Sequence, residues 1–202
     1  SGVRAAVAMR GEVLTLPVEH GAVRNISNSP GINERAPAWS PDGQWIATIA
    51  FNGADEDTTL LIRPQVAAMP TAADVKIINL GPNYHYTVVW SPDSTKLALV
   101  DKTMSIFLLD LEKENEITEV ASNANDPAMG TRTEPPRWSP DSQWLAYLQE
   151  GQDGSACSRV MLYSIVDGTT SPATDGRADV TSVCVFVIPS IHMPLRHTLV
   201  CR

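Results

Sequence analysis

Apolar and β-branched residues in this chain come in short runs, which are interrupted by Gly, Pro, Asp and Asn. Runs of this kind, bounded by turn-forming residues, are typical of β-strands. No window shows the sustained period of about 3.6 residues that marks an amphipathic helix. The sequence therefore predicts an all-β protein. The predicted strands are RAAVAM (4–9), EVLTLPV (12–18), AVRNIS (22–27), QWIATIAF (44–51), TTLLIRPQV (58–66), DVKIINL (74–80), KLALVD (96–101), SIFLLDL (105–111), EITEV (116–120), WLAYLQE (144–150) and RVMLYSI (159–165).

The tetrapeptide Trp-Ser-Pro-Asp occurs three times, each time a few residues before an apolar run. Its tryptophans are Trp39, Trp90 and Trp138, so the copies are 51 and 48 residues apart. A repeat of roughly 40–50 residues indicates a propeller or a solenoid. Because each repeat holds short strands that meander, we predict a β-propeller with four-stranded antiparallel blades. About four blades are expected, in an incomplete ring with the tryptophan strands innermost.

The repeated motif has the chemistry of a tight turn. Proline presets φ at the second turn position, and aspartate is tolerated at the third, where it can bond its own backbone. Gly43 would then be left-handed, whereas Ser94 and Ser142 in the other copies predict a strained or different turn. Each tryptophan is expected to fill the wedge between blades, because a ligand site rarely recurs in every blade. The structural motif residues are Trp39, Pro41, Asp42, Gly43, Trp90, Pro92, Asp93, Trp138, Pro140 and Asp141.

Residues 1–182 are assigned to the propeller, with blades near 1–30, 36–81, 86–121 and 134–174. The tail at 183–202 differs in composition, since it holds two of the three cysteines, two of the four histidines and no acidic residue. Either a truncated or frame-shifted coding sequence or a divergent capping strand would explain this tail.

The segment at 10–47, RGEVLTLPVEHGAVRNISNSPGINERAPAWSPDGQWIA, resembles the start of the larger N-terminal β-propeller of tricorn-type proteases. Similarity continues through LIRPQ (61–65), LAYL (145–148) and TDGRADVTS (174–182). The Trp-Ser-Pro-Asp repeat itself, a WD40-like repeat, is shared with TolB-like propellers. The first resemblance implies a non-catalytic propeller of a tricorn-like serine peptidase, which admits or channels peptides to a catalytic domain outside this chain. The alternative is a TolB-like propeller that acts as a protein–protein interaction module.

No catalytic constellation is recognised in the sequence. There is no Gly-x-Ser-x-Gly elbow, so we expect this chain alone not to be an enzyme. His192, His197 and Cys201 have a spacing that superficially suits a metal, but a structural zinc site would need a further paired ligand, and Cys184 is the only candidate. The acidic run at 54–57 lacks the alternating ligands and glycine of a calcium loop. We therefore predict no metal and no cofactor.

Peptide or partner contact is expected from the channel-facing starts of the inner strands and the loops before them, at 33–37, 84–87 and 132–136. Two arginines there, Arg35 and Arg132, suit bidentate binding of a peptide carboxylate. The alternative is that both pair with carboxylates of a neighbouring blade, such as Glu34 or Glu134. The candidate contact residues are Arg35, Tyr84, His85, Tyr86 and Arg132.

Charge and length narrow the choice of partners. The net charge of −8 over 202 residues argues against nucleic acid, which needs a basic face. No apolar stretch approaches the roughly 20 residues of a membrane span.

An arc of four blades would leave two apolar blade faces exposed, which favours self-association into a dimer that closes an eight-bladed ring. The alternative is a four-bladed monomer closed by pairing of 183–187 with the first strands. The compartment, cytoplasm or periplasm, is left open.

Overall fold

The computed structural model describes residues 4–51, 57–65, 72–81, 83–122, 134–150 and 158–175, and two short strands at 184–185 and 198–199. Within these ranges every regular element is a strand, apart from one 3-10 turn at Ala72–Asp74. In chain order the strands are β1 Arg4–Met9, β2 Glu12–Pro17, β3 Arg24–Asn25, β4 Asn33–Trp39, β5 Trp45–Phe51, β6 Thr58–Pro64, β7 Lys76–Asn79, β8 His85–Trp90, β9 Lys96–Asp101, β10 Ile106–Asp110, β11 Glu116–Ala121, β12 Arg137–Trp138, β13 Trp144–Glu150, β14 Ser158–Ser164, β15 Thr170–Pro172, β16 Cys184–Val185 and β17 Thr198–Leu199.

The strands form successive antiparallel meanders, which we number as blades in chain order. The first blade is β1-β2-β3, and the second to fourth blades are β4-β5-β6-β7, β8-β9-β10-β11 and β12-β13-β14-β15. The tryptophan-bearing strands β4 and β8 lie beside each other, as innermost strands of adjacent blades do. The prediction of an all-β propeller with about four blades in an open ring is confirmed. No described helix is long and apolar enough to cross a membrane.

The strand register shows how the first blade corresponds to the others. In the second and third blades, the second and third strands pair from Trp45↔Pro64 and Lys96↔Asp110. The equivalent starting pair in the first blade is Arg4↔Pro17, between β1 and β2. The turn between β1 and β2 also lies at the start of β4, where Glu34 N donates to Gly11 O at 2.8 Å, just as Thr58 at the start of β6 contacts His85 at the start of β8. The strands β1, β2 and β3 therefore match the second, third and fourth strands of a blade. Among the described residues, no strand occupies the innermost position of the first blade.

The core lies between adjacent blades. Buried residues of the second and third blades form one cluster, which includes Ile49, Leu60, Trp90 and Leu99. A second cluster joins the third and fourth blades in the same way. Because β5 and β9 have a blade on each face, their sequences are almost continuously apolar instead of alternating.

In the described part of the C-terminal segment, two short strands pair with each other. Cys184 pairs with Leu199 and Val185 pairs with Thr198, while β16 lies beside β12. In the alternative ring closure 183–187 would pair with the first strands; of that segment the structure describes only Cys184 and Val185, which pair with β17. A local hairpin closes a much shorter loop than a pairing across the whole chain, so it costs less conformational entropy.

Candidate functional site

The repeated turn is held by its own serine and aspartate. In the second blade Gly43 N donates to Ser40 O at 2.9 Å, and Trp45 N donates to Ser40 Oγ at 2.9 Å. Ser40 Oγ donates to Asp42 Oδ1, which also accepts from Gln44 N at 2.9 Å. The other two copies repeat this pattern. The tetrapeptide therefore has a structural role: it forms the tight turn that connects the innermost strand of a blade to the second strand.

The fourth turn residue is left-handed in every copy. The φ angles are 72° at Gly43, 61° at Ser94 and 60° at Ser142, so the two serines keep the same turn shape as the glycine. Their hydroxyls explain why serine is used despite the backbone strain. Ser94 Oγ accepts from Asp42 N and Ser142 Oγ accepts from Asp93 N, each at 3.1 Å. Each serine therefore connects its own turn to the turn of the preceding blade.

The tryptophans connect the blades in a similar way. Trp90 Nε1 donates to Ala38 O at 3.0 Å, and Trp138 Nε1 donates to Val89 O at 3.2 Å. Each acceptor is the residue that precedes the tryptophan of the previous blade. Trp39 Nε1, in contrast, is buried without a hydrogen-bond partner among the described residues. Its acceptor would belong to the innermost strand of the first blade.

The candidate contact face lies at the start of the innermost strands. A β-bulge lies between Arg35 and Ala38 in β4, and another between His85 and Thr87 in β8. Bulges redirect side chains and are frequent beside functional sites. Arg35 and Tyr86, each four residues before the tryptophan of its strand, lie at these irregularities and are exposed.

Arg35 is held against two aromatic rings. Its Nη1 donates to Tyr84 Oη at 3.3 Å and its Nε donates to Asn33 Oδ1 at 3.3 Å. The guanidinium carbon lies 5.9 Å from the centroid of the Phe51 ring, which stacks on Tyr84 at a centroid distance of 4.4 Å. No described carboxylate forms an ion pair with Arg35. The arrangement presents an oriented cation that retains further N–H donors.

Glu34, the residue beside Arg35, is engaged in a buried network. Its Oε1 accepts from Arg63 Nη2 at 2.6 Å and from Ser29 Oγ at 2.7 Å. Its Oε2 accepts from Arg63 Nη1 at 2.7 Å and from Thr48 Oγ1 at 2.8 Å. Glu34 is 0% exposed and Arg63 is 5% exposed. The expected alternative in which Arg35 pairs with Glu34 is therefore not formed, because Arg63 takes the carboxylate.

The remaining candidate residues fall in different environments. His85 is 3% exposed, and its Nδ1 lies 2.7 Å from Thr58 Oγ1 and 2.9 Å from Asn83 O. We therefore leave His85 out of the contact face. Tyr86 Oη donates to Met104 Sδ at 2.7 Å while its side chain remains exposed.

Arg132 lies outside the described residues, as do His192, His197, Cys201 and positions 54–56. No group of three metal-ligating side chains is found in the described part of the chain.

The burial of His85 makes stability depend on pH. Burial disfavours the imidazolium and lowers the pKa of His85 below the ordinary 6.5, more than the Asn83 hydrogen bond and the charge of Asp101 raise it. The unfolded chain therefore binds the proton more tightly. The stability that the folded chain has while His85 is neutral in both states is therefore complete above pH 6.5. It is lost as the pH falls towards the lower pKa of His85 in the folded chain, because protonation then favours the unfolded chain. We expect a smaller loss of stability between pH 7.5 and 5.5 in His85→Gln than in the unmodified chain.

Urea unfolding at those two pH values measures this difference. His20→Gln, which changes an exposed histidine of a hairpin, is the matched control and should keep the pH dependence of the unmodified chain. Equal pH dependence in His85→Gln and the unmodified chain would contradict the assignment.

The meander blades, the Trp-Ser-Pro-Asp turns and the bonds between blades define this protein as a β-propeller. No protein-family model matches the sequence. The chain is similar to Tricorn protease homolog 1 of Streptomyces coelicolor, with 28% identity over 173 residues, which is 84% of this chain and 15% of that protein. The resemblance to a tricorn-type β-propeller, recognised from the sequence, is thus confirmed.

Solved structures agree with this fold. The crystal structure of the tricorn protease matches with a TM-score of 0.66 and 16% identity over 92% of this chain and 17% of that one. The putative TolB from Agrobacterium tumefaciens matches with a TM-score of 0.59 and 15% identity over 86% of this chain and 58% of that one. The chain therefore spans less than a fifth of the tricorn proteins that it matches.

Proposed function

We propose that this propeller is the non-catalytic part of a tricorn-like serine peptidase and helps to admit or channel peptides. Similarity to a tricorn protease homologue supports the kind of parent protein. The observation that carries the proposal of peptide contact is Arg35, an exposed cation fixed by Tyr84 and Phe51 whose neighbouring carboxylate is already used by Arg63. The proposed ligand group is the C-terminal carboxylate of a peptide.

The chemistry of Arg35 suits this ligand. A guanidinium has five N–H donors, of which the structure assigns two, to Asn33 and Tyr84. The other donors can bind a carboxylate bidentately. Tyr84 and Phe51 restrict the side chain before binding, so less conformational entropy is lost when the ligand arrives. In a chain with a net charge of −8, such a cation also gives an anionic group a defined place to bind.

Calorimetric titration with tetra-alanine, as the free acid and as the C-terminal amide, tests the proposal. We expect the acid to bind more tightly than the amide, and Arg35→Met to weaken acid binding by about 10- to 100-fold, the value of a charged hydrogen-bond pair. Tyr84→Phe should weaken it less, because it removes only the hydroxyl that holds Arg35. Arg24→Met, in the outermost strand of the first blade, is the matched control and should bind as the unmodified chain does.

Equal affinity for the acid and the amide would contradict the carboxylate site. Binding of the amide that survives Arg35→Met would instead favour the alternative, a TolB-like propeller that docks a protein partner through other surfaces. The structural match to the putative TolB is the observation that keeps this second function under consideration.

A further inference from the structure

A buried polar triangle joins the second blade to the third, beside the aromatic rings that hold Arg35. Its members are the hydroxyl of Thr58, the main-chain carbonyl of Asn83 and the ring of His85. Thr58 is 0% exposed and His85 is 3% exposed. Both side chains are too buried to contact a peptide themselves, so any effect on peptide binding must pass through their neighbours.

The geometry of the triangle assigns the hydrogen of the histidine ring. Thr58 Oγ1 donates to Asn83 O at 2.7 Å. His85 Nδ1 lies 2.7 Å from that hydroxyl oxygen and 2.9 Å from Asn83 O. A carbonyl oxygen can only accept, so the ring nitrogen that faces it must carry a hydrogen. Neutral His85 is therefore the tautomer with the hydrogen on Nδ1, and its Nε2 is unprotonated.

The triangle also fixes the two rings that restrict Arg35. Thr58 pairs with Phe51 across β5 and β6, and Asn83 directly precedes Tyr84 in the chain. Phe51 stacks on Tyr84, and Tyr84 Oη accepts from Arg35 Nη1 at 3.3 Å. Without the triangle, the main chain before Tyr84 would lose the side-chain hydrogen bonds to its carbonyl. The ring that orients Arg35 would then be less restricted.

The position of His85 has no constant partner in the repeat. Glu34 occupies the corresponding position of the second blade, five residues before the tryptophan, and binds Arg63 within its own blade. His85 instead reaches back to Thr58 of the preceding blade. The bonds that the Trp-Ser-Pro-Asp motif forms between blades, in contrast, occur both between the second and third blades and between the third and fourth. The triangle is therefore a local feature of the chain beside Arg35.

We infer that His85 is a positioning residue of the Arg35 site: its Nδ1 hydrogen holds Asn83 O, so that Tyr84 keeps Arg35 aimed at a carboxylate. This inference rests on the proposed function, because it names further residues on which carboxylate binding depends. Restricting the side chain before the ligand arrives lowers the entropy that is lost on binding. A side chain that only filled space at this position would give no dependence on the Nδ1 hydrogen.

A long-range ¹H–¹⁵N correlation spectrum of the full chain at pH 7.5 tests the tautomer. Burial lowers the pKa of His85 below the ordinary 6.5, so the ring is neutral at this pH. We expect the pattern of a ring protonated on Nδ1, in signals that His85→Leu removes. A ring protonated on Nε2 would overturn the inference, because its Nδ1 could not donate to Asn83 O.

Calorimetric titration with tetra-alanine, as the acid and as the amide, tests the coupling to Arg35. His85→Leu should weaken binding of the acid by about 2- to 10-fold, the value of one hydrogen bond, without changing that of the amide. His85→Asn should retain the affinity, since the asparagine amide can place an N–H where Nδ1 stood. Thr58→Val removes only a hydroxyl and should weaken acid binding by a similar factor, so it decides the question if His85→Leu does not fold. Thr118→Val, exposed in the outermost strand β11, is its matched control and should bind as the unmodified chain does.

The Nε–Hε resonance of Arg35 provides a readout without any peptide. We expect it to move in His85→Leu and in Thr58→Val, and to stay near its original position in His85→Asn. Unchanged acid binding and an unchanged resonance in His85→Leu and Thr58→Val would overturn the inference, as would equal losses in His85→Leu and His85→Asn. Equal binding of acid and amide by the unmodified chain would instead contradict the proposed function, and the resonance of the free chain then decides the positioning role by itself.

Discussion

Arg63→Met should lower the free energy of unfolding by about 3–5 kcal/mol, because it leaves the buried carboxylate of Glu34 without its cation. Glu34 is 0% exposed and would keep only the hydroxyls of Ser29 and Thr48 as partners. Because small domains are stable by about 5–15 kcal/mol, this is a large share of the total. Urea unfolding, with the midpoint and slope both fitted, measures the change.

Two variants separate the loss of the ion pair from a general effect of losing an arginine. Arg35→Met removes an exposed arginine beside Glu34 in β4 and should cost less than about 1 kcal/mol. Glu34→Leu combined with Arg63→Met removes both charges and should recover more than half of the loss. If Arg63→Met costs no more than Arg35→Met, or if the double variant is as unstable as the single one, the account of a buried pair is wrong.

Trp90→Ala should lower the free energy of unfolding by about 3–5 kcal/mol, because it opens a cavity between the second and third blades. Trp90 is 7% exposed and packs in a cluster to which both blades contribute. The smaller change Trp90→Phe keeps most of the packing but leaves Ala38 O without its indole donor. It should cost about 1–3 kcal/mol in the same urea experiment.

Trp39→Phe is the matched control for the bond between blades. Trp39 occupies the same position of the motif, but its Nε1 has no partner among the described residues. Its replacement by phenylalanine removes an unsatisfied donor and should cost clearly less than Trp90→Phe. Equal losses in the two variants would show that the hydrogen bonds between blades do not contribute.

The fold could be predicted from the sequence because the repeat and the strand pattern agree. Trp-Ser-Pro-Asp fixes where each innermost strand ends, and the apolar runs after it are buried on both faces. The lengths of the innermost strands were harder to predict. β12 contains only Arg137–Trp138, because Pro135 and Pro136 before it have no N–H to pair. β15 was not predicted, since its residues, Thr170–Pro172, are exposed and form no apolar run.

The site was predicted only in part. The position of Arg35 at the start of the innermost strand β4 follows from the motif, but the partner of Glu34 does not. Glu34 and Arg63 are 29 residues apart and meet across three strands, so their contact depends on a register that a single sequence does not give. The available signal was an arginine at the end of an apolar run, TTLLIRPQV, where a buried charge requires a partner. The burial of His85 also follows from packing between strands.

The central claim is that Arg35 binds the free carboxylate of a peptide. The most direct measurement is the Nε–Hε resonance of Arg35 in a ¹⁵N-labelled chain, titrated with tetra-alanine as the acid and as the amide. The account predicts that the acid shifts this resonance and that the amide at the same concentration does not. A resonance that stays in place with both peptides, or moves equally with both, would contradict the account.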